Sequence, residues 1–245
     1  MTREWVKRTI HHLGFDVTHR RPRVDDFISR HGVTTVLDVG ANEGQYARML
    51  REWGYRGKIV SFEPVMAALQ RLDLERQGDS QWTSVNMALG NSDGETTINV
   101  TTSSVFSSIL TPLPHLQKEF STAAIVGTQK ISVRRLDSVF EQYCSKDDVV
   151  FLKIDTQGYE REVLQGALQS LPRIIAVQME VSLVPYYAGE ATLSEHLGFM
   201  EEHGFDPALL EPVTYNNQIP AVDQVDAVFV QRDLVRFSRV TPASA

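Results

Sequence analysis

From Thr34 onward the chain alternates between short apolar runs and stretches with apolar residues at helical spacing. TTVLDVG is a β-branched run ending in glycine, and GQYARMLREWG behind it spaces Tyr46, Met49, Leu50 and Trp53 as a helix would. The unit recurs as KIVSFEP with MAALQRLDLERQG, as WTSVNMALG, as VVFLKID with GYEREVLQGALQSL, and as RIIAVQMEV with a helical stretch from Thr192 to His203. Such alternation predicts an α/β fold: a mostly parallel sheet with helices on both faces and ligands at the carboxyl ends of the strands. FDPALLEP and VDAVFVQR break the rhythm, because no amphipathic helix separates them. They predict two closing antiparallel strands.

Between Gly94 and Leu136, ETTINVT and KISVRRL read as strands around a Ser-, Thr- and Pro-rich connection at 101–129. A connection this long in a compact domain is usually functional or disordered. Val105, Phe106, Ile109, Leu110 and Leu113 give it apolar surface, so an ordered flap over the site is expected. Residues 1–33 read as a basic, partly helical leader, whose first stretch, Met1 to Arg23, sets Arg3, Lys7, Arg8, Arg20, Arg21 and Arg23 against Glu4 and Asp16. The main domain is expected over 34–232, and residues 233–245 as a tail.

Composition narrows the class. The 245 residues are 42% hydrophobic and 22% charged, enough apolar mass for a large core. No uncharged apolar run approaches the roughly 18 residues of a spanning helix, and the N-terminus has charges where a signal peptide is apolar. A cytoplasmic protein without a transmembrane segment is expected. The single Cys144 can form neither an intrachain disulfide nor a thiolate metal cluster. A net charge of −7 argues against nucleic acid as the partner, because phosphate binding draws on an excess of Lys and Arg.

The strongest local signal is the turn Asp38-Val-Gly40-Ala41-Asn42-Glu-Gly44 between the first strand and the first helix. Glycines allow a tight turn and close approach, and the helix N-terminus is expected to offer N–H groups to an anion. A dinucleotide pyrophosphate calls for G-x-G-x-x-G, but Asn42 stands at the second glycine position and Glu43 adds negative charge. S-adenosylmethionine (SAM) needs a neutral turn and acceptors for its ammonium, for which Asp38 is a candidate. Glu63, after the second strand, is placed to take both hydroxyls of a ribose. Asp155 stands at the mouth of the strand FLKID, two residues beyond Lys153. It could bind the cofactor by stabilising the sulfonium amine, accept a proton, orient an acceptor, bind a divalent metal, or cap the following helix.

DVGANEGQY, SFEP, NMALGNSDG, RRLDSVF, LKIDTQGYEREVLQGA, MEVS and DAVFVQR resemble the FkbM family of SAM-dependent methyltransferases, from about Val36 to Arg232. The resemblance implies a class I, Rossmann-like sheet of seven strands, mostly parallel with an antiparallel C-terminal strand, and methyl transfer to a hydroxyl of a sugar, glycolipid or secondary metabolite. By position it implies that Asp38, Gly40, Ala41, Asn42 and Gly44 line the methionine end of the cofactor. Glu63 is implied at the ribose, Met87 and Ala88 at the adenine, and Asn91 to Gly94 in the adjoining turn.

In-line transfer from a sulfonium requires alignment, and an alcohol also requires removal of its proton. Asp155 is the leading candidate for that role, with Glu180 at the end of the next strand as its companion. The two could alternatively hold Mg²⁺ beneath the acceptor oxygens. Among the histidines, His115 in the flap and His196 on the late helix could reach the site, while His11, His12, His19, His31 and His203 read as surface residues. The reading is therefore an O-methyltransferase acting on a small-molecule or glycan acceptor, not on nucleic acid. Its alternatives are a SAM-binding module without chemistry and an NAD-dependent oxidoreductase.

Overall fold

A computed structural model of the chain describes residues 23–216 and 219–234. The expected leader thus falls largely outside the described residues, as does most of the expected tail. The part of the leader that is described forms α1 (Val24–Arg30), whose Val24 and Ile28 are buried in the main core.

The main sheet contains β1 (Thr35–Val39), β2 (Lys58–Phe62), β3 (Trp82–Val85), β7 (Val150–Ile154), β8 (Ile174–Ser182), β9 (Phe205–Tyr215) and β10 (Val222–Gln231), in the order β3-β2-β1-β7-β8-β10-β9. The first five strands in this order pair in parallel. β10 is antiparallel to both β8 and β9, so β9 runs with the parallel set and β10 alone runs against it. The closing pair is antiparallel, and β10 is the expected antiparallel C-terminal strand. This is the class I methyltransferase arrangement, with the strand order reversing beside β1.

Alternation along the strands divides the core. Leu37, Val39, Val60, Phe62, Leu152 and Ile154 join one buried cluster, and Val36, Ile59 and Phe151 join the other. The first is covered by α5 (Leu136–Tyr143), α6 (Glu160–Gln165) and α7 (Leu193–Glu202); the second is covered by α1 and α2 (Gln45–Glu52), with Leu72 of α3 (Met66–Glu75). α7 begins with the reciprocal Thr192 and Glu195 capping box. Burial on both faces is why the central strands are continuous apolar runs.

Two predicted elements differ. WTSVNMALG is not one strand: β3 stays in the main sheet, while β4 (Ala88–Leu89) joins β5 (Gly94–Thr101) and β6 (Ile125–Arg134) in a second sheet of three strands. The break falls at Asn86, whose amide donates to the Glu63 and Pro64 carbonyls. The helix expected over GYEREVLQGALQSL ends at Gln165, where a Cβ on Gly166 would meet the Gly90 carbonyl oxygen at 1.9 Å.

The flap connects β5 to β6 and contains α4 (Pro114–Glu119). Leu116, Ala123, Tyr186 and Tyr187 form its own buried cluster with Phe106 and Phe120 against it. The loop after β8 holds it in place: Pro112 bridges Tyr187, and Leu113 N–H donates to the Tyr186 carbonyl.

Candidate active site

A cavity of about 560 Å³ opens at the carboxyl ends of β1, β2, β7 and β8, where the crossovers part, and the flap roofs it. That size suits a small-molecule ligand.

On the β1–β2 side, Gly40, Ala41, Asn42 and Glu63 line the cavity. The turn amides are already used. Gly40 and Ala41 N–H groups donate to the Phe62 carbonyl, Asn42 N–H to Glu63 Oε2 at 2.8 Å, Glu43 N–H to Gln45 Oε1, and Gly44 N–H to the Ala41 carbonyl. The expected anion cradle is therefore absent from this turn. Gly40 is required by the fold itself: at φ +74° a Cβ there would meet the Asp155 carbonyl oxygen at 1.8 Å. The turn instead offers acceptors. Asn42 Oδ1 is buried at the cavity without a hydrogen-bond partner, a site for a donor such as an ammonium. Glu63 accepts from the Asn42 and Val65 amides, and burial, outweighing those bonds, lifts its carboxyl to about 7.

Several expected cofactor residues lie behind this surface. Asp38 is fully buried, accepts from Ser61 at 3.0 Å, and lies 3.5 Å from Lys153 Nζ. It faces a ligand only through that lysine. Gly44 lies outside the lining and packs on Trp82; Met87 joins the core, while Ala88 does line the cavity.

On the β7–β8 side the structure brings Asp155 and Glu180 together in the cavity wall. Asp155 does not cap a helix, because α6 begins only at Glu160 and its N-cap is Tyr159. Lys153 Nζ lies 3.2 Å from Asp155 Oδ2, and Gln157 Nε2 donates to Oδ1 at 2.8 Å. Burial pulls the Lys153 ammonium down, but Asp155 and Asp38 outweigh it and hold the group protonated, over the Tyr46 ring. Glu180 accepts from Gln224 Nε2 at 2.8 Å. Burial, with Asp155, Asp226 and Glu160 nearby, lifts its carboxyl well above the ordinary range.

Asp226, Gln157, Gln178 and Tyr46 also line the cavity, and sequence reasoning did not single them out. Asp226 lies opposite Glu180 in register, and burial, with Asp155 beside it, lifts it to about 6. Its signal was DAVFVQR, quoted for the family but not read for chemistry. His115 is placed outside the cavity: α4 turns the adjacent Leu116 inward and leaves His115 exposed beside the Tyr186 ring. His196 is buried under α7, where desolvation lowers it to about 4, and it too is outside the lining.

The expected Mg²⁺ site does not fit the donors present. Among the described residues no group of three or more His, Cys, Asp or Glu is arranged to hold a metal ion, and the oxygens of Asp155 face an ammonium and an amide. A family model, the methyltransferase FkbM domain, matches residues 38–207. The chain belongs to the FkbM methyltransferase family. No curated protein matches it. Solved structures similar to this FkbM protein include magnesium protoporphyrin IX methyltransferase from Synechocystis with bound SAH, at 11% identity and TM-score 0.48, covering 93% of this chain and 98% of that one. Another is 1,6-didemethyltoxoflavin-N1-methyltransferase from Burkholderia thailandensis, at 10% identity and TM-score 0.46, covering 83% and 74%. An rRNA methylase from Streptococcus thermophilus matches at 12% identity and TM-score 0.47, covering 88% and 99%. The FkbM protein is thus a SAM-dependent methyltransferase, and its cavity turn, whose amides are bonded within the chain and whose Asn42 oxygen is open, fits that cofactor better than a pyrophosphate. Among the described residues no helix is long and apolar enough to cross a membrane.

Proposed function

We propose that the protein methylates a hydroxyl of an uncharged acceptor, such as a sugar, glycolipid sugar or secondary metabolite. The carrying observation is the meeting of Asp155 and Glu180 at neighbouring strand ends inside the cavity. SAM, when bound, supplies a methyl group activated on a sulfonium. Asn42 and Glu63 are the chain's acceptors for its ammonium and ribose, and Gly40, Ala41 and Ala88 give the wall against which it lies. Asp155, oriented by Lys153 and Gln157, receives the acceptor's hydroxyl. Burial raises the Glu180 carboxyl well above the ordinary range, which makes its carboxylate a stronger base than an exposed one. The pair takes up the proton as a unit, and the flap excludes water.

The charged groups described in the lining are Glu63, Asp155, Glu180, Asp226 and Lys153, whose ammonium is held by Asp38 and Asp155. That balance favours a neutral acceptor over one bearing phosphate, including nucleic acid. The test is release of SAH with neutral alkyl glycosides, phenols and secondary alcohols, against sugar phosphates and an RNA hairpin. Methyl groups found on oxygen of the neutral acceptors are expected. Methylated RNA, or transfer only to phosphorylated acceptors, would overturn the proposal.

A further inference from the structure

Gln157 stands where the flap meets the strand ends. Its backbone is in the left-handed region, φ 56°, with Gly158 following at φ 93°. For a side chain such as glutamine that conformation is uncommon, and it persists where the surroundings over-determine it. Here they do. Nε2 donates to Asp155 Oδ1 at 2.8 Å and lies 3.5 Å from Glu180 Oε1. Oε1 accepts from the Tyr187 hydroxyl at 3.0 Å, and that hydroxyl lies equally near the Phe106 carbonyl of the flap. The main-chain carbonyl of Gln157 accepts from Ser108 Oγ at 2.7 Å, also in the flap.

The amide has two unlike ends, and its NH₂ end, the donor, faces Asp155 and Glu180. Its carbonyl is thereby left for Tyr187. Tyr187 is almost fully buried and bridges Pro112 of the flap, so the flap, Tyr187, Gln157 and both carboxylates form one connected network.

We infer that Gln157 is a positioning residue that couples seating of the flap to the alignment of Asp155 and Glu180. The inference rests on the reading of those two carboxylates given above. With the flap seated, Ser108 and Tyr187 hold the glutamine, and the glutamine holds the carboxylates toward the cavity. With the flap lifted, its side chain keeps only the strand-end bonds.

Hydrogen exchange on the full chain, read over flap residues 104–116, tests the coupling without an acceptor. Gln157→Gly removes the side chain at a backbone conformation that glycine prefers, so the variant should keep its thermal stability. It should speed flap exchange about tenfold, because the flap loses its side-chain tie to the strand ends and keeps only the Ser108 bond to the main chain of residue 157. Asp155→Ala touches none of those flap residues, yet it should speed the same amides severalfold in the wild-type background and have no further effect in Gln157→Gly. SAH affinity, measured by calorimetry, should be unchanged in Gln157→Gly. Unchanged flap exchange in Gln157→Gly, additive effects in the double variant, or lost SAH affinity would overturn the coupling. A wild type that binds no SAH would instead overturn the methyltransferase site, leaving the exchange cycle to judge the coupling separately.

Discussion

The two sides of the cavity are built differently. On the β1–β2 side the turn amides are answered within the chain, Glu63 is held by the Asn42 and Val65 amides, and a buried Asn42 oxygen is left open. On the β8–β10 side, carboxylates stand in register across strands, Glu180 opposite Asp226 and Asp226 opposite Glu211. Like charges directly opposite in a sheet are destabilising, and here a glutamine amide answers each of the two buried carboxylates, Gln224 on Glu180 and Gln178 on Asp226. The first side is a finished scaffold that needs only shape and a few acceptors to hold a cofactor. The second is electrostatically loaded, and burial, with that load, raises the Glu180 and Asp226 carboxyls.

Removing the reactive carboxylate should distinguish the sides most sharply. Asp155→Asn keeps the size of the residue, so SAH affinity should hold while kcat falls about 10²-fold or more. Turnover near the wild-type value would move the chemistry elsewhere. EDTA should leave wild-type activity unchanged, and loss of activity restored by Mg²⁺ would contradict the donor geometry.

The scaffold side predicts a binding effect instead. Glu63→Ala should weaken SAM by about 1.5–3 kcal/mol in calorimetry, the range of lost charge-assisted hydrogen bonds. Equal affinity in a folded variant would remove Glu63 from the cofactor site.

Behind the loaded side, Glu160 is 3% exposed and accepts from Thr156, and burial lifts its carboxyl to about 8. Its folded value lies above its unfolded one, so its stabilising contribution is complete below the unfolded value and is lost as pH rises through 8. Glu160→Gln should therefore melt higher than wild type above pH 8 and show little gain in acid. A melting difference that does not grow with pH would refute the burial argument.

The smallest expected effect is a displacement of the pH profile. Glu180 faces Asp155, Asp226 and Glu160 as like charges and Lys153 as an opposite one. Asp226→Asn removes one like charge, lowers the Glu180 carboxyl, and should move the acid limb of kcat to lower pH. An acid limb that stays put would show that another group sets it.

Much of this was legible from local pattern. Short apolar runs alternating with helical spacing revealed the strands around TTVLDVG, KIVSFEP and FLKID, and therefore which residues stand at strand ends. What escaped depends on contacts distant in sequence. Asp226 reaches the cavity because β10 inserts between β8 and β9, a register that its own segment does not encode. Gln157 matters through a left-handed backbone and a tyrosine 30 residues away. Gly40 invited a ligand reading, yet the neighbour that requires it is the chain's own Asp155 carbonyl. His115 looked available until α4 directed Leu116 inward.

Titration of the full chain with SAH and, separately, with NAD tests the central claim most directly. The account predicts saturable binding of SAH, weakened in Glu63→Ala, and no heat with NAD, because the turn amides that would cradle a pyrophosphate are already bonded within the chain. Tight binding of NAD with none of SAH would contradict it.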